Sequence, residues 1–246
     1  MIIFISPPFG NYFKYFKINS KQFDTEVEFI PIKGSFTLEN RPGLISQIFK
    51  TLRYSTLHNG WINKIGLRNK GIDAALSENI KSNLENKSIL SVAILKIEDI
   101  PKLVDKIPKE TNIELNVSCP NVGNNLVDID IEKFLNNRRK WCIVKLSPNV
   151  SKETIDYYYN KGFRQFHSSN TLPVKNGGLS GKTLIPYTVE NTEYIKNKYK
   201  DAEVVCGGGI TRVMDIEGYK NKGGDYYSIS TLCFSPYKFM KLLFEL

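Results

Sequence analysis

No apolar stretch in this chain approaches the roughly 18 residues needed to cross a bilayer, so a membrane-spanning helix is not expected. Cysteine is sparse. Cys119, Cys142, Cys206 and Cys233 lie far apart and no C-x-x-C pair occurs, which argues against a zinc ion or iron–sulfur cluster held by this chain, and metal is expected to be absent. Reduced thiols are the expectation, with Cys142, Cys206 and Cys233 in apolar strand-like runs as small core residues. A basic leader is lacking as well: Met1-Ile-Ile-Phe-Ile-Ser-Pro-Pro reads as a first strand, and a cytoplasmic location is expected. No linker, repeat or low-complexity tract marks a domain boundary. The net charge is +9, but most of it comes from dispersed lysine rather than one basic face with interleaved arginine and aromatics. The two densest stretches, Lys14 to Lys21 and Arg138-Arg139-Lys140, read as solvated faces, so nucleic acid is not the expected partner. The excess favours an anionic ligand in a general way.

What the chain does have is alternation. Hydrophobic residues make up 41% and charged residues 24% of 246 positions, as in a globular domain with one sizeable core. Short β-rich runs occur at Ile2 to Ser6, Val27 to Ile32, Ser88 to Ile94, Ile113 to Val117, Trp141 to Leu146, Gln165 to Ser168, Glu203 to Cys206 and Tyr226 to Ile229. Helix-like segments lie between most of them: Leu44 to Leu57, Gly71 to Asn83, Ile100 to Ile107, Asp130 to Arg139, Lys152 to Lys161, Pro186 to Lys200 and Val213 to Lys222, with Pro236 to Leu246 at the end. Ser151 is placed to cap one helix, and Pro186 and Pro236 sit where a first turn tolerates proline. Eight strand–helix units in this length predict an α/β fold, a single (β/α)8 TIM barrel spanning residues 1–246. The one irregular stretch, Ser55 to Gly71, reads as an excursion over the barrel mouth.

The segment Glu114-Leu-Asn-Val-Ser-Cys-Pro-Asn121 carries the most chemical information. Ile113, Leu115 and Val117 alternate as a strand, Pro120 stops the ladder, and two amides, a hydroxyl and a thiol cluster at the C-terminal tip. In a parallel α/β protein such tips collect catalytic groups, and Cys119 is the one cysteine at a polar tip. Two glycine clusters follow later strands, Gly177-Gly178-Leu179-Ser180-Gly181 and Gly207-Gly208-Gly209. Neither completes a nucleotide motif, since Asn176 and Arg212 stand where glycine is required. In a barrel, loops after the seventh and eighth strands bind phosphate through backbone N–H groups, a role that Gly207 to Gly209 with Ser230-Thr231 would fit.

These elements resemble, in order, those of the dihydroorotate dehydrogenases. Asn116-Val-Ser-Cys-Pro-Asn121 is similar to the family's N-x-S-[CS]-P-N element, Val144-Lys-Leu-Ser-Pro148 to its V-K-L-[SP]-P strand, and Gly177 to Gly181 to its G-G-L-S-G loop. Asn170-Thr171, Gly208-Gly209-Ile210, Asn63 with Gly66-Leu67, and Lys33 with Ser35 fall where relatives carry an amide–hydroxyl pair, phosphate glycines, N-x-x-G-L and a strand-two lysine. The resemblance implies an FMN-dependent oxidation of dihydroorotate to orotate in pyrimidine synthesis. It implies Cys119 as the general base with Ser118 beside it, hydride transfer to flavin N5, and Lys145 as a positive charge at the flavin ring. Substrate would be held by Asn63, Gly66, Leu67, Asn116, Asn121, Asn170 and Thr171. FMN would be held by Lys33, Ser35, Asn116, Lys145, Gly181, Gly208, Gly209, Ser230 and Thr231. Cysteine at the base position is the class 1 pattern, and a homodimer is the family's common state. The chain departs from the pattern at Ser6 to Asn11, at His167, which reads as a structural histidine, and at Ser230. Two further readings stay open: a dihydrouridine synthase-like flavoenzyme acting on tRNA, and a barrel that binds FMN or phosphate without redox turnover. The electron acceptor is not legible.

Overall fold

The computed structural model describes residues 1–15, 27–81, 87–117 and 130–246. Among these, eight parallel strands close into a barrel. They are β1 (Ile2–Ile5), β2 (Glu28–Phe36), β5 (Ile89–Ala93), β6 (Ile113–Asn116), β7 (Cys142–Lys145), β8 (Gln165–Ser168), β11 (Glu203–Gly207) and β12 (Tyr226–Ile229). All eight expected strands are present in the expected order, and β12 pairs with β1 to complete the ring. Outside the ring pack α2 (Ile72–Lys81), α3 (Asp99–Lys106), α4 (Lys152–Asn160), α5 (Ile185–Lys198), α6 (Val213–Lys220) and α7 (Pro236–Glu245). The start signals act as expected: Ser151 Oγ accepts from the Thr154 amide, and Pro186 and Pro236 occupy first turns.

Side-chain alternation divides the interior into two parts. Outward residues such as Leu90, Val92, Ile113, Leu115, Val144, Phe166 and Val204 join one large core beneath the helices. Inward residues Phe4, Ile30, Ile32, Ile89, Trp141, Ile143 and Val205 fill the lower half of the barrel. There Phe4, Trp141 and Tyr226 meet edge to face, with centroids 5.1–6.1 Å apart. This plug seals the barrel from below, so inward groups nearer the strand C-termini sit in a cup open only at the top.

Two expected helices are shorter. The segment from Leu44 ends as α1 (Leu44–Thr51), because Arg53–Ser55 becomes β3 and pairs antiparallel with β4 (Gly60–Asn63). Tyr54 packs edge-on against Trp61 across that pair at 5.5 Å, a cross-strand contact that overrides helical spacing. Between Asp130 and Arg139 only a 3-10 turn, Ile131–Phe134, forms. The Arg139 guanidinium donates to the Phe134 carbonyl at 2.6 Å and to Pro108 at 3.2 Å, and the Asn136 side chain accepts from the Arg138 amide, so side chains satisfy the backbone in place of a helix.

The glycine-rich segment expected as a loop is itself a strand, β10 (Gly177–Gly181). It lies between β4 and β9 (Leu172–Val174) in a four-stranded antiparallel sheet. Glycine is needed there for close approach: a β-carbon at Gly177 would fall 2.2 Å from the Asn63 carbonyl oxygen, and one at Gly178 2.4 Å from Thr171 Oγ1. Trp61 of this sheet packs at 4.6 Å on Phe234, which meets Phe9 at 4.8 Å, tying the sheet to the loops after β12 and β1. The small sheet therefore stands at the C-terminal end of the barrel. No helix among the described residues is long and apolar enough to cross a membrane.

Candidate active site

Above the apolar plug the inward positions turn polar. On β6 the residues between Ile113, Leu115 and Val117 are Glu114 and Asn116, which the same alternation points inward. Glu114 is fully buried. Its Oε1 accepts from Ser91 Oγ at 2.8 Å and from Lys145 Nζ at 3.3 Å, and its Oε2 meets His167 Nδ1 at 2.5 Å. A buried carboxyl is pushed toward neutrality by loss of water, but here the Lys145 charge, then His167 and the hydroxyl of Ser91, outweigh that and hold it down at about 2. Lys145 is thus a buried ammonium with a buried counter-charge, one strand away.

From this ion pair a chain of hydrogen bonds climbs to the small sheet. Ser91 Oγ contacts Ser35 Oγ at 2.8 Å, and Asn116 Nδ2 donates to Ser35 Oγ at 3.1 Å. Asn170 Nδ2 donates to Asn116 Oδ1 at 3.1 Å, and Asn170 Oδ1 accepts the Thr171 amide at 2.8 Å. Thr171 lies under Gly178, and Gly178 stands opposite Asn63 in the β4–β10 pair. Asn63, Asn116, Asn170, Thr171, Ser35 and Lys145, spread over more than a hundred positions of sequence, are thereby brought to one mouth. Gly66 and Leu67 follow β4 in a turn where both have positive φ, and the Gly66 carbonyl accepts from Arg41 Nη2.

The glycines after β11 form a second feature. Gly208 and Gly209 have φ of +88° and +79°. Two consecutive left-handed residues make a concavity suited to an anion. The turn is braced from behind, since Tyr219 Oη donates to the Gly208 carbonyl at 2.6 Å and Thr188 Oγ1 to the Gly207 carbonyl at 2.8 Å. Lys182, next to Gly181, packs its α-carbon against Gly209. Ser230 and Thr231 lie just beyond β12, the neighbour of β11, and Ser230 Oγ is spent on the Pro7 carbonyl at 2.7 Å.

Lys33 does not join this mouth, which corrects the expectation that it would contact the cofactor. Ile30 and Ile32 are the inward residues of β2, so Lys33 faces outward and its Nζ donates to Asn79 Oδ1 of α2 at 2.9 Å. An offset of one residue moves a strand side chain to the opposite face; around Gly34 the register shifts, and Ser35 is the β2 residue that reaches Ser91 and Asn116. Asn11 clamps Gly34 through two reciprocal bonds, to its amide at 2.8 Å and from its own Nδ2 to the carbonyl at 3.2 Å. Ser118, Cys119 and Asn121 lie outside the described residues, as does most of the Lys14 to Lys21 stretch. The three described cysteines are buried, and burial pushes Cys142 up to about 11 and Cys206 and Cys233 up to about 12, so none is a base near neutral pH. Sequence reasoning passed over Glu114 and Ser91. The usable signal was the strand alternation itself, which already put a carboxylate two residues before Asn116 on the same face.

Comparison with known proteins decides the family. The family model described as dihydroorotate dehydrogenase matches residues 19–163, more than half of the chain. The chain belongs to the dihydroorotate dehydrogenase family. That family consists of oxidoreductases acting on CH–CH bonds. Curated dihydroorotate dehydrogenases similar to it include the "dihydroorotate dehydrogenase B (NAD(+)), catalytic subunit" of Malacoplasma penetrans, 27% identical over 80% of this chain and 74% of that protein. The protein of the same description from Lachnoclostridium phytofermentans is 23% identical over 78% of this chain and 73% of its own length. Among solved structures, dihydroorotate dehydrogenase of Eimeria tenella in complex with ferulenol shares the fold with a TM-score of 0.70 at 17% identity, covering 99% of this chain and 79% of that one.

Proposed function

We propose that this protein oxidises dihydroorotate to orotate with FMN as its cofactor, in pyrimidine biosynthesis. The observation that carries the reading is the unbroken polar chain from the Lys145–Glu114 pair through Ser91, Ser35 and Asn116 to Asn170, at the tips of five barrel strands and beside the paired left-handed glycines. The left-handed turn at Gly208 and Gly209 fits a phosphate, Lys182 next to Gly181 packs against it, and Thr231 lies just beyond the neighbouring strand β12. When bound, FMN supplies the acceptor for a hydride at its N5.

The chain's own residues do the remaining work. Lys145 offers a fixed positive charge where reduction builds negative charge on the ring, already oriented by Glu114 and needing no rearrangement during reaction. Asn63, Asn116, Asn121 and Asn170 match the alternating carbonyl and N–H edge of a pyrimidine ring, because an amide side chain both donates and accepts. Cys119, assisted by Ser118, takes the proton from the carbon next to the substrate carbonyl as the hydride leaves the neighbouring carbon. The relatives' description as the NAD(+)-using catalytic subunit of dihydroorotate dehydrogenase B supports a second subunit that passes electrons onward; a homodimeric catalytic core and a cytoplasmic setting belong to the same proposal and rest on the family resemblance alone.

Anaerobic mixing of the purified protein with dihydroorotate tests the reading: rapid bleaching of bound flavin absorbance is expected. Cys119→Ala should retain FMN and lose that rapid phase. Flavin that stays oxidised would favour a binding barrel without turnover, and normal reduction in Cys119→Ala would remove the assigned base.

A further inference from the structure

His167 is a buried titratable group on the inner face of the barrel that the proposed chemistry leaves without a role. β8 points Gln165 and His167 into the barrel while Phe166 joins the outer core. The ring is 2% exposed, with Nδ1 on Glu114 Oε2 at 2.5 Å. Its other edge rests on the neighbouring strand β11: a β-carbon on Gly207 would fall 2.8 Å from Nε2 and 3.4 Å from Cδ2. Gly207 differs from the two glycines that follow it. Gly208 and Gly209 have positive φ, whereas Gly207 lies within β11 and has no such torsion. Its lack of a side chain is therefore a matter of room, and the ring of His167 fills that room.

The charge around the ring settles its form. An ionised carboxylate only accepts, so the Nδ1 proton belongs to the ring and points at Glu114. Burial and then the Lys145 charge disfavour a second proton, lowering the imidazole below its usual range despite the attraction of Glu114. The titratable groups that reach the ring are Glu114 from β6 and Lys145 from β7; the neighbouring inward residues Val205, Gly207 and Ser228 of β11 and β12 carry none. One carboxylate is thus shared among three donors, with Oε2 given to a neutral imidazole and Oε1 to the Lys145 ammonium and the Ser91 hydroxyl.

We propose that His167 is a positioning residue for Lys145: by occupying Glu114 Oε2 from its seat on Gly207, it leaves a single oxygen for the ammonium and keeps Lys145 at the tip of β7. Without that N–H, the freed oxygen draws the ammonium down into a two-oxygen contact and away from the mouth. This rests on the reading that Lys145 faces the flavin.

Two measurements test it. In protein carrying ¹⁵N-labelled histidine, His167 should show a protonated Nδ1 and an unprotonated Nε2 that stay unchanged from about pH 5.5 to about pH 8; titration near the ordinary value of about 6.5, or the opposite tautomer, overturns the proposal. The second is the midpoint potential of bound FMN in His167→Leu, Gly207→Ala and His167→Asn. Leucine removes the donor and an alanine methyl displaces the ring, so both should lower the potential by about 30 mV, a tenfold weaker preference for reduced flavin in a two-electron couple. Asparagine places an N–H near the Nδ1 position and should stay within about 10 mV, or about twofold. Gly207→Ala should add nothing in the His167→Asn background, where the shorter side chain leaves the seat empty. A wild-type potential in His167→Leu overturns the proposal. Protein that binds no flavin refutes the cofactor reading, while the nitrogen spectrum still judges the state of His167.

Discussion

Replacing Glu114 by glutamine tests the electrostatic centre of this barrel most directly. The side chain keeps its size and loses its charge, so the Lys145 ammonium remains buried without a counter-ion, and the glutamine amide turns a donor toward groups that themselves donate. Removing one partner of a buried pair typically costs about 3–5 kcal/mol. The acid–base properties give a second route to the same size: folding holds this carboxyl at about 2 against an ordinary 4.5, and that gap corresponds to on the order of 3 kcal/mol. The sign follows from a depressed carboxyl. Its stabilisation is fully present above about pH 4.5 and is lost progressively as the pH falls toward about 2. Urea unfolding at pH 7 should therefore show the Glu114→Gln midpoint lower by about 1 M, taking a slope near 3 kcal/mol/M. The gap between wild type and variant should narrow as both are taken from pH 5 to pH 3. A midpoint shift below about 0.3 M at pH 7, with parallel acid profiles, would refute the claim that this carboxylate is the counter-charge on which the site is built.

Two other substitutions bear on the placement of the remaining groups. Lys33→Met should leave FMN affinity within about twofold, measured by flavin fluorescence quenching, and cost about 1–2 kcal/mol in thermal unfolding, because its ammonium serves Asn79 outside the barrel; a tenfold loss of FMN affinity would restore the lysine to the site. Gly178→Ala would put a methyl 2.4 Å from Thr171 Oγ1, and the displaced Thr171 and Asn170 should raise the KM for dihydroorotate about tenfold, roughly 1.4 kcal/mol, with flavin content unchanged; an unaltered KM would remove that pair from the substrate.

Much of the fold was legible because its signals are local and repeated. Each barrel strand declares itself by β-rich composition, each helix by spacing and caps such as Ser151, and the eightfold alternation leaves few arrangements open. The small sheet was not legible, since β3, β4 and β10 are too short to declare themselves and its central pairing joins β4 to β10, more than a hundred residues further along the chain. Arg139 likewise ends a helical pattern by contacts that sequence spacing does not record.

The chain by itself determined the order of eight strand–helix units and the polar tip that runs from Glu114 to Asn121, because side-chain period and composition are properties of neighbouring residues. Which face each polar group takes was decided only by tertiary structure. A shift of one residue sends Lys33 out to Asn79, and ring closure sets Glu114, Lys145 and His167 from three strands around one carboxylate, above an apolar plug that keeps water from screening them.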